Sequence, residues 1–547
     1  MRVGIISFIC FLLLTSCSQP PNNEKPTAAA LAATTALPSV DGNAMKAHIQ
    51  KLSSDEMEGR APGGKGEELA TTYISDFFKS IGLKTQFQAV PMVGITATAA
   101  PMKLEGRGGS KTLKFGDDFI AWSKREVDSV TSSAELVFCG YGVTAPEYQW
   151  DDFKGGVKGK IIVVLINDPQ LEDQSKFGGK AMTYYGRWTY KFEEAARQGA
   201  AGALIIHETQ YAAYPWEVVR GSWGGEQFDI VRPDKGASTV PLQGWITRDV
   251  ASALFKSAGM DFDDMKKKAL QPDFRPVPLG IKASVEVRNQ LRHVDSKNVI
   301  GVLEGSEKPD EYVVFTAHWD HLGIGEAQNG DKIYNGAVDN ASGVAELMEI
   351  ARAATKIQPK PKRTMVFMSV TGEEQGLLGS AFYADNPVFP LTKTLANLNM
   401  DSANVFGRDN NEVQVIGYGY TTLEDVLKDV VAKQGRKMIP NNEPEKGGYF
   451  RSDQFSLAKK GVPALYIRST TVADEDEYTA KRYHKPSDEY DASWDMKSAA
   501  ADASAFLEVA MRVSDGNQWP EWKPGTEFKA IREESLNAKR KRDSAQP

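Results

Sequence analysis

From residue 297 onward, short apolar runs alternate with helix-patterned segments. No other feature of the chain restricts its fold as tightly. The strand-like runs read NVIGVLEG (298–305), EYVVFTA (311–317), TMVFMSV (364–370), EVQVIGYG (412–419) and PALYIRS (463–469). Between them lie amphipathic or apolar helical stretches, notably GVAELMEIARAATKI (343–357) and LEDVLKDVVAKQG (423–435). Strands separated by helices cannot pair as hairpins, so this grammar predicts an α/β fold: a mostly parallel mixed sheet with helices on both faces. Crossovers of one hand then bring the carboxyl ends of the strands to one edge, where α/β sheets collect their ligands.

The chemistry-bearing residues fall at those ends. TAHWDHLG (316–323) follows the second run and spends two of the six histidines of the chain within four positions. In extended chain, His318 and Asp320 project to the same face, which suits an imidazole ligand and a carboxylate that fixes its tautomer. NGAVDNASGVAEL places Asp339 and Asn340 directly before a helix, where helix capping is an equally good reading. TGEEQGLLGS ends another strand in Glu373 and Glu374, NMD puts Asp401 after a further apolar run, and RYHKPSDEY supplies Tyr483 and His484. Imidazole and carboxylate are the donors expected of a hydrolytic zinc site. Two zinc ions about 3.5–4 Å apart would need a bridging carboxylate, and adjacent glutamates divide naturally into one ligand and one base.

This ordered set, H-x-D, then GAVDNASGVA, TGEEQGLLGS, NMD and YH, resembles the co-catalytic zinc peptidases of metallopeptidase family 28. SSDEMEGRAPGGKGEELATTYI (53–74) resembles the amino-terminal helices of that family. The resemblance implies the zinc aminopeptidase (phosphorylase/hydrolase-like) fold, two Zn²⁺ ions and a peptide substrate. It further implies His318 and Asp401 on one zinc, Glu374 and His484 on the other, and Asp339 as the bridge. Glu373 matches the general base that serves a zinc-bound hydroxide, Asp320 the carboxylate that orients His318, and Tyr483 a tyrosine that either contacts the oxyanion or packs. Arg451, in FRSDQF, matches a substrate contact; Gln454 departs from the S-D-H of that segment and receives no role. His321 lies outside the matched set and is read as a supporting or structural group. A cis peptide is implied between Asp339 and Asn340. The activity expected is that of an aminopeptidase. Glutaminyl cyclase-like and carboxypeptidase activities are the alternatives within the family, and a non-catalytic binding protein is disfavoured because every ligand position is filled.

Residues 121–285 have a different texture, with short strands (AELVFCGYGV, GKIIVVLIND, AGALIIHE) between glycine-rich turns. They are read as an inserted β-rich module, where several family members carry a protease-associated domain. The catalytic domain then comprises 39–120 and 286–515, followed by a charged tail at 516–547. Cys139 is read as buried and inert. H-E-x-x-H, G-x-S-x-G and a P-loop are all absent from the chain. A net charge of −7 argues against a general nucleic-acid partner. At the amino terminus, Arg2 and the apolar run Val3–Leu14 end in Leu14–Cys17, LTSC. This resembles a bacterial lipoprotein signal (1–16), with lipid on Cys17, a flexible tether to residue 38, and a membrane-anchored location in the cell envelope, at the outer membrane. Oligomeric state is not legible.

Overall fold

The computed structural model describes residues 37–545, except 107–108, 172, 174–175, 213, 223–224 and 408–410. The expected signal segment, most of the tether and Cys17 lie outside the described residues. Among the described residues no helix is long and apolar enough to cross a membrane.

The sheet forms around two long strands, β1 (Lys84–Ala99) and β2 (Val277–Leu303), which pair antiparallel from Lys84↔Val302 to Ala99↔Val287. Beside the carboxyl end of β2 the order runs β4 (Arg363–Val370), β3 (Lys308–His318), β5 (Thr394–Asn399), β8 (Ala464–Arg468), β6 (Glu412–Ile416) and β7 (Lys437–Pro440). The neighbours β4, β3, β5 and β8 are mutually parallel; β2 against β4 and β6 against β8 are antiparallel. The mostly parallel mixed sheet expected from the sequence is therefore present. All eight residues of β4 are buried, as a strand covered on both faces requires.

One face of this sheet packs against α1 (Gly42–Leu52), α2 (Lys65–Ser80), α3 (Gly343–Thr355) and α4 (Lys497–Asp515), with Val299, Phe315, Phe367 and Leu398 in the shared core. Helix α3 is enclosed on almost every side, which explains its run of Ala, Leu, Met and Ile; its Glu349 is accommodated by His48 Nε2 at 2.9 Å. In α2 the stripe Leu69, Tyr73, Phe77, Ile81 has helical spacing, yet Ala70, Ile74 and Phe78 are the fully buried set. Two apolar stripes lie side by side on this helix. The flatter one meets the sheet, while Tyr73 and Phe77 turn toward His48 on α1. Residues 516–545 include a further helix, α5 (Glu527–Ala545), whose first turns are anchored by buried Phe528 and by Arg532 donating to the carbonyls of Leu391 and Thr394.

The stretch 121–285 contains more than β-structure. Three strands, Ile161–Leu165, Gly202–His207 and Gln243–Thr247, are parallel, and helices Trp188–Arg197 and Arg248–Ser257 cover them. This region has its own two apolar cores, one around Phe138, Leu204 and Phe255 and one around Val164, Ile205 and Trp245. It is nevertheless continuous with the rest. Val277–Arg288 of β2 pairs with Ser129–Phe138, so one sheet runs through both regions.

Candidate metal centre

The parallel strands end level with one another: His318 of β3 is in register with Val370 of β4, and Thr316 with Asn399 of β5. Each chain segment therefore leaves the sheet at the same edge and presents its next side chains to a common point. His318 and Asp320 come from the exit of β3, Glu373 and Glu374 from that of β4, and Asp401 from that of β5. Asp339 stands in the turn before α3, with a cis peptide to Asn340. His484 follows helix Val472–Lys481.

These side chains meet. His318 Nε2 lies 3.3 Å from Asp339 Oδ1 and 3.6 Å from Asp401 Oδ1. His484 Nε2 lies 3.4 Å from Asp339 Oδ2 and 3.1 Å from Glu374 Oε2. Asp339 thus turns one oxygen to each histidine. Glu373 Oε2 is 3.9 Å from His318 Nε2, close to the first group. The spacing tests the fit to zinc: ligands about 2 Å from a tetrahedral ion stand roughly 3.3 Å from one another, and the four separations here run from 3.1 to 3.6 Å. His318 Nε2 is buried without a hydrogen-bond partner, although three carboxylates face it. A donor atom left in that position, among acids that repel one another, fits a site built for cations.

Asp320 divides its task differently from the expectation. His318 Nδ1 donates to the backbone carbonyl of Asp320 at 3.1 Å, while the nearer carboxylate oxygen is 3.7 Å away. The carboxylate accepts instead from the N–H groups of Glu373 (3.1 Å) and Glu374 (3.4 Å). Because β3 and β4 are parallel neighbours, the turn leaving β4 offers its free amides to the residue leaving β3. The tautomer of His318 is still fixed from within the same loop.

The two glutamates differ electrostatically. Burial, reinforced by Asp401 and Glu374, holds the Glu373 carboxyl well above the usual range against the pull of His318. Burial would raise Glu374 too, but His484 and His321 bring it down to about 2. One neighbour is shifted toward holding a proton and the other toward its charged form, the direction in which a base and a ligand divide. His321, set aside in the sequence reading, lies inside the cluster. Its Nδ1 donates to Glu374 Oε1 at 2.5 Å, a hydrogen bond that orients Glu374 and leaves Oε2 toward His484. The Tyr483 ring stacks on the His484 imidazole at 3.9 Å, and Arg451 lines the adjoining cavity.

That cavity, of about 830 Å³, opens between the metal-centre edge and the 121–285 region. Glu373, Glu374, Tyr483 and His484 stand on one wall, and Trp188, Tyr214 and Trp245 on the other. Two residues went unrecognised in the sequence. Arg187 reaches the cavity from a YYGRW turn that carries no motif, with its Nε buried and unpartnered. Asp453, two residues after Arg451 in the quoted FRSDQF, is fully buried; burial pushes its carboxyl up to about 6 against the pull of nearby His318.

The family model of peptidase family M28 matches residues 298–509, the segment that supplies every one of these candidate ligands. The match is confined to that segment and shows what these residues are similar to. The chain is similar to the rat protein named Aminopeptidase NAALADL1, 34% identical over 271 residues, covering 41% of this chain and 35% of the relative. It is also similar to a Caenorhabditis elegans Glutamate carboxypeptidase 2 homolog, 37% identical over 317 residues, covering 46% and 39%. The chain thus spans well under half the length of these curated relatives. Among solved structures, an aminopeptidase from Aneurinibacillus sp. strain AM-1 superposes with a TM-score of 0.52 at 21% identity, covering 89% of this chain and 95% of that one. This is a likeness of fold, and at that coverage it extends beyond residues 298–509.

Proposed function

We propose that the protein is a zinc-dependent exopeptidase, and most specifically an aminopeptidase that releases amino-terminal residues from peptides. The observation that carries this reading is Asp339 facing His318 with one oxygen and His484 with the other, while Glu373 stands free of the Asp339–Glu374–His484 group. In this reading His318, Asp401 and Asp339 would hold one zinc, and Asp339, Glu374 and His484 would hold a second. Bound zinc supplies Lewis-acid polarisation of the scissile carbonyl and makes water a better acid near neutrality. The residues of the chain do the rest. Glu373 takes the proton of the attacking water on its carboxylate and returns it to the departing amine, a task its raised proton affinity suits. Asp320 holds the Glu373–Glu374 turn by its two amides. Tyr483 keeps His484 in place by stacking, and the aromatic wall formed by Trp188, Tyr214 and Trp245 excludes bulk water. The inserted region acts here as a protease-associated-like wall that narrows access.

A second reading, carboxypeptidase or dipeptidase action, is favoured by one observation. Among the described residues, Arg187 and Arg451 line the cavity without an ion-pair partner, and Arg187 lies within the electrostatic reach of both Arg451 and Glu373. Unpaired guanidinium groups in a cleft suit a substrate carboxylate. The deciding experiment uses aminoacyl-anilides, the same compounds blocked at nitrogen, and short peptides with free or amidated carboxyl ends, each with and without chelator and with zinc restored. Cleavage of anilides but not of blocked compounds supports the aminopeptidase. Cleavage that requires a free carboxylate supports the second reading, and chelator-insensitive turnover overturns both. Product mass separates either from glutaminyl cyclisation.

For location, LTSC at Leu14–Cys17 supports a proposal that Cys17 carries lipid and tethers the enzyme to the cell envelope. Detergent-phase partitioning that is unchanged in Cys17→Ala would contradict it.

A further inference from the structure

The loop EGRAPGGKG, which the resemblance places only at the family's amino-terminal helices, reaches the metal centre through a single side chain. Glu58, Gly59 and Arg60 all have positive φ (48°, 65° and 51°), and a Cβ on Gly59 would stand 2.6 Å from the carbonyl oxygens of Gly323 and Tyr334. That tight passage drives Arg60 inward until it is 1% exposed. Its guanidinium then bonds backbone carbonyls of three separate segments. Nε donates to Trp319 at 2.9 Å, between His318 and Asp320; Nη1 donates to Leu52 (2.5 Å) and Asn335 (2.6 Å); Nη2 donates to Gly336 at 3.0 Å.

The other side of the same turn is held by Asp488, four residues after His484. Its carboxylate accepts from the N–H of Val338 at 3.2 Å and of Asp339 at 3.1 Å and from the Tyr478 hydroxyl at 3.2 Å, and its backbone carbonyl accepts from Ala337 at 3.0 Å. The segment 335–339 is thus gripped by its carbonyls from Arg60 and by its amides from Asp488. The first grip is shared with the loop that follows His318, and the second with the loop that carries His484.

We propose that Arg60 and Asp488 are paired positioning residues that set the separation of His318, Asp339 and His484, so that the two cation positions exist before any cation arrives. The proposal rests on the metallopeptidase reading above. Physically, the three imidazole and carboxylate carriers are loops, which do not hold sub-ångström spacing by themselves. A planar fork bonded to two of them, and a buried carboxylate bonded to the turn beside a third, convert them into one rigid unit. A buried arginine that bonds only carbonyls could equally be mere scaffolding, so the molecule's own counterexample matters. Arg363, also 1% exposed, opens β4 at the far edge of the sheet and donates to the carbonyls of Val513, Ser514 and Gly516. It has the same burial and the same carbonyl bonding, with an added ion pair from its Nε to Glu311 and no candidate metal centre near them.

The test compares Arg60→Met, Asp488→Asn and Arg363→Met in the otherwise intact protein. Zinc affinity is measured by chelator competition, the cobalt-substituted protein by its visible absorption, and folding by circular dichroism and thermal melting. Arg60→Met and Asp488→Asn are expected to lose at least tenfold in zinc affinity and to change the cobalt spectrum. kcat should fall more than KM rises. Arg363→Met should melt earlier with zinc affinity and cobalt spectrum unchanged. Folded Arg60→Met and Asp488→Asn proteins with wild-type zinc affinity and spectrum would overturn the proposal. So would equal losses in Arg363→Met, which would make the effect one of general stability. Should Arg60→Met not fold, the near-isosteric Asp488→Asn decides by the same criteria. Wild-type protein that binds no zinc would overturn the peptidase reading and this proposal together. Zinc-dependent wild-type turnover with unaffected variants would overturn this proposal alone.

Discussion

Two clusters of buried charge, one in each half of the molecule, have opposite economies. In the 121–285 region Lys191 is 1% exposed, and its ammonium donates to three carbonyls, Tyr141 at 2.6 Å, Asn167 at 2.8 Å and Tyr185 at 2.7 Å, beside buried Asp152 and Asp168. All three donors are used, Asp152 is held by Trp150 and Val143, and Asp168 accepts from Thr183 through Oδ2, with its Oδ1 left unbonded. At the metal centre, by contrast, Asp320, Asp339, Glu373, Glu374 and Asp401 crowd around three histidines, and His318 Nε2 is left without a partner. The difference teaches how to tell structure from function among buried charges. A cluster whose cation spends every donor on backbone carbonyls ties loops together, whereas one that leaves a buried imidazole nitrogen facing three carboxylates is built for something from outside.

The largest expected effect tests the second half of that contrast. Asp339→Ala should remove the residue facing both histidines, abolishing tight zinc binding and with it turnover. Metal analysis showing full zinc occupancy in this variant would break the comparison at its centre. Lys191→Met tests the first half. It strands three carbonyls and two acids, so chemical denaturation should show a loss of about 3–5 kcal/mol, with zinc affinity unchanged in the protein that remains folded. If zinc affinity fell in step, the insert's cluster would belong to the site after all.

The two glutamates sharpen the picture within the metal centre. Glu373→Gln should keep its metals and near-normal KM while turnover falls on the order of 10²-fold or more. Glu374→Gln should instead weaken one zinc, since a neutral amide replaces a charge that His321 and His484 both address. Reversal of these two results would exchange the roles of the neighbours. The smallest effect is expected at Cys139, buried on the insert with its thiol held well above the usual range by burial. Cys139→Ala should cost roughly 1 kcal/mol and leave turnover alone. The wild-type thiol should resist alkylation until the chain unfolds, and fast labelling of native protein would contradict that reading.

By itself, the order of residues determined the α/β class and the edge of the sheet at which the site would form. It did so because apolar periodicity is a local property and because parallel strands joined by crossovers must end together. His318, Asp339, Glu374, Asp401 and His484 could each be named from a strand exit or a motif, and the structure brings them together. Other features were settled only by packing. The two apolar stripes of α2 are equivalent in sequence, and the sheet chose Ala70, Ile74 and Phe78. The insert looked like a separate module, yet β2, 27 residues long, carries a single sheet through both regions. His321 was recognisable as a histidine near a ligand, but not as the donor that orients Glu374, 53 positions away. Arg60 lies 275 positions from the carbonyl of Asn335 that it bonds, and Arg187 reaches the cavity from a turn without any motif. Hydrophobic spacing is written into neighbouring residues, whereas a hydrogen bond between distant loops exists only once the whole sheet has closed around it.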